Sequence, residues 1–413
     1  MSGSAPGPLH RRLGLSDAVV IGLGSMIGAG VFAAFAPAAQ AAGLGLLAGL
    51  AVAAVVAYCN ATSSARLAAR HPQSGGTYVY GRERLGGFWG YLAGWGFIAG
   101  KTASCAAMAL TVGAYALPGR ARPIAVAVVV ALTALTWHGI QRSARVTRLV
   151  VAVVLAVLAG VVAACVAGGD PAPERLVTGA GVQPLGVLQA AGFLFFAFAG
   201  YARVATLGEE VRDPARTIPR AIPLALGITL AVYAVVAVTI LAVLGPEGVA
   251  ATADPLAAAV RTSSWHWMEP VVRAGAVLAA AGSLLSLLLG VSRTALAMAR
   301  DRHLPAALAA VHPRHGVPHR AGLAVGAVVV AIILLADVRG AIGFSSVTVL
   351  VYYAITNAAA LTLGTGRAVA VAGLAGCLVV AASLPLASLT AGTAVLAMGA
   401  LLWAATRRVR WTA

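Results

Sequence analysis

The chain has 413 residues, 60% hydrophobic and 10% charged, with a mean hydropathy of +0.92, where soluble domains carry roughly 45–50% apolar and about 25% charged residues. That excludes a water-soluble fold. The 29 Lys and Arg against 12 Asp and Glu give a net charge of +17, but these cations lie in short loops between apolar runs, so no basic domain exists to hold a nucleic acid.

Residues 1–16 contain Arg11 and Arg12 but no short apolar stretch ending in a small-residue cleavage site, and read as a tail rather than a signal peptide. Apolar runs long enough to cross a bilayer then follow near 17–40, 43–65, 88–116, 123–138 and 147–168. A second set lies near 185–208, 221–244, 271–299, 321–336 and 340–364, and a final pair near 368–386 and 389–406, before a short tail at 407–413. The expected fold is an all-α integral membrane protein of about twelve transmembrane helices. Its parts are a first set of five spans (17–168), a second set of five (185–364) and a closing pair (368–406). With a cytoplasmic N-terminus, twenty of the loop Lys and Arg fall on the cytoplasmic side and six, Arg120, Arg122, Arg175, Arg261, Arg273 and Arg339, on the other. The positive-inside rule then places both termini in the cytoplasm of a cell inner (plasma) membrane protein.

Span 1 contains Gly22, Gly24, Gly28 and Gly30 within IGLGSMIGAGVF. Tight helix packing is one reason for such glycines. The other is an interruption near 25–30 that exposes backbone N–H and C=O groups at membrane depth, which is tolerated only where they line a cavity or meet a ligand. Span 6 carries Phe-Ala-Phe-Ala-Gly-Tyr at 196–201. It stands five spans later and enters from the opposite side, as the matching element of an inverted repeat would.

Four stretches resemble the amino acid-polyamine-organocation (APC) permeases. RRLGLSDAVVIGLGSMIGAGVF is similar to their first helix and residues 72–95 to their first re-entrant loop. Residues 193–222 are similar to the sixth helix with its following loop, and 292–305 to the end of the eighth. The resemblance implies a 5+5 inverted repeat of the leucine-transporter type, with discontinuous helices 1 and 6 and two extra helices at the C-terminus. It further implies that a substrate α-carboxylate meets backbone N–H groups of 27–30, where the positive end of a half-helix suits an anion. The substrate amino group would meet carbonyls near 196–199. The candidate binding residues are therefore Ser25, Met26, Ile27, Gly28, Ala29 and Gly30 in span 1, and Phe196, Ala197, Phe198, Ala199 and Gly200 in span 6. Phe196 and Phe198 either shape the pocket or serve packing alone.

Among ionisable groups inside spans, Lys101 lies about 13 residues into span 3, or roughly 20 Å deep, too far for easy snorkelling. Ser104 follows it at helical spacing, and both join the candidate site. Lys101 is a candidate proton-linked group or fixed charge; the alternative is a lysine that donates to backbone carbonyls of a neighbouring helix. Ser283 and Ser286 of span 8 are candidate coupling-ion ligands, although such serines commonly bond their own helix. Span 5 lacks the lysine that some APC permeases carry there. Arg203, Glu209 and Glu210 are inner-gate candidates.

No carboxylate falls near the middle of a span, which disfavours a cationic substrate. Cys59, Cys105, Cys165 and Cys377 lie in apolar runs without metal-ligand spacing, and the histidines at 312, 315 and 319 have no cysteine or placed acid beside them, so neither a metal nor another cofactor is expected. The expected function is secondary active transport of amino acids, neutral or acidic, by alternating access with proton coupling or exchange. The partners are then the amino acid substrate and the lipid bilayer. A cationic amino acid or polyamine permease is the runner-up within transport. Outside it stand a transporter-like sensor, for which no added signalling domain is seen, and a membrane-embedded enzyme, for which there is no triad, metal spacing or phosphate loop.

Overall fold

The computed structural model describes residues 13–71, 75–138, 144–176, 183–201, 204 and 211–411. Ten helices among them are long and apolar enough to cross a membrane, and two shorter apolar helices, His319–Leu335 and Arg367–Ser383, occupy the places expected for spans 9 and 11. No named strand occurs among the described residues; a single isolated bridge joins Leu13 to Val211. The chain is an all-α integral membrane protein, as the apolar runs require.

Span 1 is built from Leu15–Met26, Ala29–Ala33 and Phe35–Ala42. Span 2 is Leu46–Arg70, span 3 Gly87–Ala116, span 4 Ala121–Trp137 and span 5 Ala144–Ala167. Span 6 is Pro184–Phe198 with a 3-10 turn at Ala199–Tyr201, span 7 Pro214–Ala251 and span 8 Glu269–Arg300. Spans 10 and 12 are Val338–Leu361 and Leu386–Trp411. Pro184 and Pro214 open their helices at first-turn positions, where the missing N–H would have had no partner.

Span 7 is longer than its apolar core at 221–244, because the helix already begins at Pro214 and runs through Arg216 and Arg220; at the far end it is kinked at Gly245, whose φ of 69° precedes Pro246. Two short helices accompany the spans. Thr77–Leu85 lies in the stretch likened to a re-entrant loop and turns into span 3 at Gly86, at φ 103°. Pro255–Arg261, between spans 7 and 8, was not expected from the sequence.

The packing divides the helices into two groups. Spans 1, 2, 6 and 7 lie against one another, and span 3 forms the centre of a second group with spans 8 and 10 on either side. Small residues let these backbones approach: a Cβ on Gly49 of span 2 would stand 2.8 Å from Ala190 of span 6, and one on Gly100 of span 3 would stand 2.2 Å from Thr348 of span 10. Outward faces carry bare apolar side chains such as Leu149, Leu335, Leu386 and Leu401, which suits hydrocarbon rather than water.

Candidate substrate site

The helix of span 1 stops at Met26. Ile27 has φ −79° and ψ 61°, and Gly28 N donates to Met26 O at 2.8 Å, which together make an inverse γ-turn. Gly28 leaves helical space at φ −121°, ψ −128°, and Ala29 restarts the helix. The new segment is effectively continuous to residue 42, because Ala34 keeps helical angles, with Ala34 N bonded to Gly30 O at 3.0 Å and Ala38 N to Ala34 O at 3.2 Å. The expected interruption at 25–30 is therefore two residues wide. Ile27 N donates back to Leu23 O at 2.6 Å, so the N–H groups of Ile27 and Gly28 are both occupied by the turn. Those of Ala29, Gly30 and Val31 open the restarted helix and have no carbonyl one turn earlier in that segment to receive them.

Span 6 ends its helix at Phe198 and tightens into the 3-10 turn Ala199–Tyr201. It meets span 1 at two glycines. A Cβ on Gly200 would lie 2.1 Å from Ser25 O, and one on Gly30 would lie 2.5 Å from both Cα and Cβ of Ala197. Gly28 faces span 8 instead, where a Cβ would fall 1.9 Å from Ser283 Oγ. Both glycines of the break thus permit close approach of neighbouring helices.

One residue that the sequence did not single out ties the two breaks together. Tyr233 of span 7 is fully buried, and its hydroxyl lies 2.6 Å from Met26 O and 3.3 Å from Ala197 O. Its ring packs against Phe198 at 5.3 Å and Phe35 at 6.3 Å between centroids. Phe198 is thereby enclosed in an aromatic cluster, while Phe196 of the same helix retains 8% exposure.

Lys101 is 8% exposed, and its Nζ is 3.5 Å from Ala199 O, the carbonyl that the Tyr353 hydroxyl of span 10 also approaches at 3.4 Å. Its ammonium is thus directed at the C-terminal end of the span 6 helix, where the helix dipole is negative. Ser104 Oγ pairs with Ser345 Oγ at 2.6 Å and also donates to Gly100 O at 3.2 Å, joining spans 3 and 10. Ser25 donates to Ile21 O at 2.9 Å, within its own helix. Ser283 is buried under the break of span 1, whereas Ser286 is exposed and donates to Gly282 O at 3.1 Å. Arg203, Glu209 and Glu210 lie outside the described residues.

The two ends of the bundle are closed by different means. Where span 7 meets span 8, Arg273 donates to Asp254 at 2.6 Å, to Glu269 at 2.8 Å and to Tyr115 O at 3.0 Å; Arg261 adds contacts to Asp254 at 3.3 Å and Glu269 at 3.1 Å. Tyr115 in turn packs edge-on against Phe32 of span 1 at 5.5 Å and donates its hydroxyl to Phe32 O at 3.3 Å. At the opposite, arginine-rich end, Arg148 of span 5 pairs with Asp17 of span 1, and Arg212 N donates to Leu13 O at 2.8 Å. Arg82 reaches Asp301 at 3.3 Å, and the Tyr78 hydroxyl donates to Asp301 at 2.5 Å. Burial first, and then that carboxylate, push the Tyr78 hydroxyl far above its ordinary range, so it remains a donor.

An interrupted span 1 packed against the end of the span 6 helix, in a bundle of membrane-length helices, is the geometry expected of a carrier. Residues 13–411 match the amino acid permease family. The chain belongs to that family. This amino acid permease is 67% identical to an uncharacterized transporter of Mycobacterium tuberculosis, over 98% of the chain and 94% of the relative. It is 29% identical to the branched-chain amino acid permease BcaP of Bacillus subtilis, over 75% of the chain and 72% of the relative. It is 28% identical to the chloroplastic cationic amino acid transporter 7 of Arabidopsis thaliana, over 85% of the chain and 65% of the relative. The family consists of transporters, so the permease is not an enzyme.

Proposed function

We propose that this permease is a secondary carrier of neutral α-amino acids that works by alternating access between spans 1 and 6 and the helices around span 3. The substrate carboxylate meets the N–H groups that open the restarted helix of span 1, at 29–31. Its ammonium meets carbonyls near the end of span 6, among them Ala197 O, on the side away from Lys101. Five spans in each of two inverted halves, a cytoplasmic arginine-rich end and proton coupling or exchange complete the reading.

The observation that carries the choice of substrate is Lys101, buried beside the span 6 break with a carbonyl rather than a carboxylate as its hydrogen-bond partner. A cationic side chain in the same space would face a like charge with no acid to offset it. The described acidic residues support this, since all lie in loops or near helix ends. The same lysine favours a second reading, in which an acidic side chain of the substrate pairs with its ammonium. Among the relatives, the one named for branched-chain substrates agrees with the first reading, and those named for cationic substrates oppose both.

Uptake into proteoliposomes, screened over the twenty amino acids with and without a pH gradient, tests the proposal. Neutral amino acids should accumulate and compete with one another. Lys101→Met should remove pH-dependent uptake, or remove acidic substrates from the accepted set. Exclusive transport of arginine, lysine or polyamines overturns the proposal, and an unchanged pH profile and substrate set in Lys101→Met makes that lysine a tether between spans 3 and 6.

A further inference from the structure

Away from the breaks, at the arginine-rich end, spans 4, 8 and 9 leave a narrow cleft of about 20 Å³ between Thr133 and Trp137 of span 4, Ser292 of span 8, and His319 and Leu323 of span 9. That is room for one water-sized group. Two polar atoms on the side chains lining it, Thr133 Oγ1 and His319 Nδ1, are buried and have no hydrogen-bond partner. Buried polar atoms are rarely left so, and a pair of them at one cleft calls for an occupant.

His319 lines the cleft, and three further imidazoles stand in a chain of ring contacts that leads from it. The ring of His312 lies 4.8 Å from that of His315 and 5.4 Å from that of His319, and His315 lies 5.9 Å from His138. Trp137 packs against His319 at 5.6 Å. The backbone N–H groups of Arg314 and His315 donate to His312 Nδ1 at 3.2 and 3.3 Å, so the proton of the neutral ring sits on Nε2 and that edge is a donor. His138 Nδ1 donates to Ala134 O at 2.8 Å. Arg314 and Arg320 belong to the same segment, and residues 121–169, 270–300 and 302–336 contain no Asp or Glu.

The site is thus rich in donors and positive charge and lacks acids. Span 9 begins at His319, so the positive end of a 17-residue helix faces the same place. Among the described residues, no three His, Cys, Asp or Glu side chains converge as the ligands of a metal ion do. On its outer side the cleft is walled by Leu323, which is 43% exposed on the surface that faces lipid. Basic pockets between membrane helices, with one polar and one apolar wall, suit an anionic headgroup with its chain alongside.

We propose that this cleft binds the phosphate headgroup of an acidic phospholipid from the leaflet at the arginine-rich end, one phosphate oxygen entering toward His319 and Thr133 and the acyl chain lying along Leu323. The proposal rests on the placement of these spans in a membrane and not on the choice of transported substrate.

The test uses the full chain, purified in detergent and stripped of lipid, with thermal melting and native mass spectrometry as readouts. Short-chain phosphatidylglycerol should bind and raise the melting temperature, and short-chain phosphatidylcholine should not. The variant His312→Gln/His315→Gln/His319→Gln should weaken phosphatidylglycerol binding by about fivefold or more, the effect of losing one hydrogen bond to the phosphate, with helical content unchanged. Thr133→Val provides a second variant should the triple one fail to fold, and it should also weaken binding. Equal binding of the two lipids overturns the proposal, as does phosphatidylglycerol binding that survives the substitutions. An equal shift from inorganic phosphate alone assigns the cleft to a soluble anion and overturns the lipid. Zinc binding that is lost in the triple variant overturns it in favour of a metal.

Discussion

The two ends of the bundle use the same chemistry to different effect. At the span 7–8 end, four charges close on one another: the side chain of Asp254 is 10% exposed, that of Arg273 20%, that of Glu269 23% and that of Arg261 49%. Among the described residues of the arginine-rich end the pairs are separate, with Arg148 54% exposed against 17% for Asp17, and Arg82 and Asp301 each 39%. Exposed pairs contribute between about 0 and 1 kcal/mol each, while breaking a desolvated, doubly bonded pair costs several times as much. Among the described residues the bundle is latched at the span 7–8 end by one charge cluster and fastened at the other by separate pairs.

The largest expected effect lies between the two ends, at the break on which both depend. Gly30→Val places a side chain against the Cα of Ala197, a backbone atom that cannot yield locally. Uptake should be undetectable while membrane insertion persists; normal uptake would show that spans 1 and 6 separate freely without that contact. Next is Arg273→Met, which leaves Asp254 and Glu269 with Arg261 as their remaining arginine. A loss on the order of 2–4 kcal/mol is expected, below the fully buried range because the side chain is partly wet. It should show as a lower melting temperature and faster labelling of a cysteine placed at Phe32. A change under about 1 kcal/mol would put the two ends on an equal footing.

Tyr233→Phe keeps the ring packing and removes the hydroxyl that joins spans 1 and 6; Met26 O keeps the Gly28 N–H while Ala197 O loses the hydroxyl, at about 1–3 kcal/mol. Substrate affinity should change along with stability, which an aromatic that only packs would not produce. The smallest effect is expected from Arg148→Met, within about 1 kcal/mol of the parent. Its use is as a control: a loss as large as that of Arg273→Met would erase the distinction between latch and fastening.

The spans and the break in span 1 were legible in the sequence because each has a local signature. Twenty-residue apolar runs give the helices, and the alternating glycines from Gly22 to Gly30 mark the interruption that the structure narrows to Ile27 and Gly28. The contacts that organise the site were not legible, because they join residues far apart in the chain. Tyr233 reads as one more aromatic in the apolar run of span 7, and only the fold brings its hydroxyl to Met26 and Ala197. Asp254 and Arg273 stand 19 residues apart on either side of a short helix that no periodicity announced. Lys101 was found by its depth, yet depth said nothing of Ala199, the carbonyl it meets.

A hydroxyl carries one proton, and at Tyr233 two carbonyls, one from each broken helix, have a claim on it. The shorter distance, to Met26, takes the larger share, although Met26 O also receives the Gly28 N–H. Moving span 6 away from span 1 by an ångström would end the sharing altogether. For an amino acid bound as proposed, the ammonium brings three protons to that place. On that proposal the empty carrier would hold spans 1 and 6 together by a divided donor and the loaded carrier by a plentiful one. The ammonium and the Tyr233 hydroxyl would then compete for Ala197 O, and occupancy would govern movement without any residue being dedicated to sensing it.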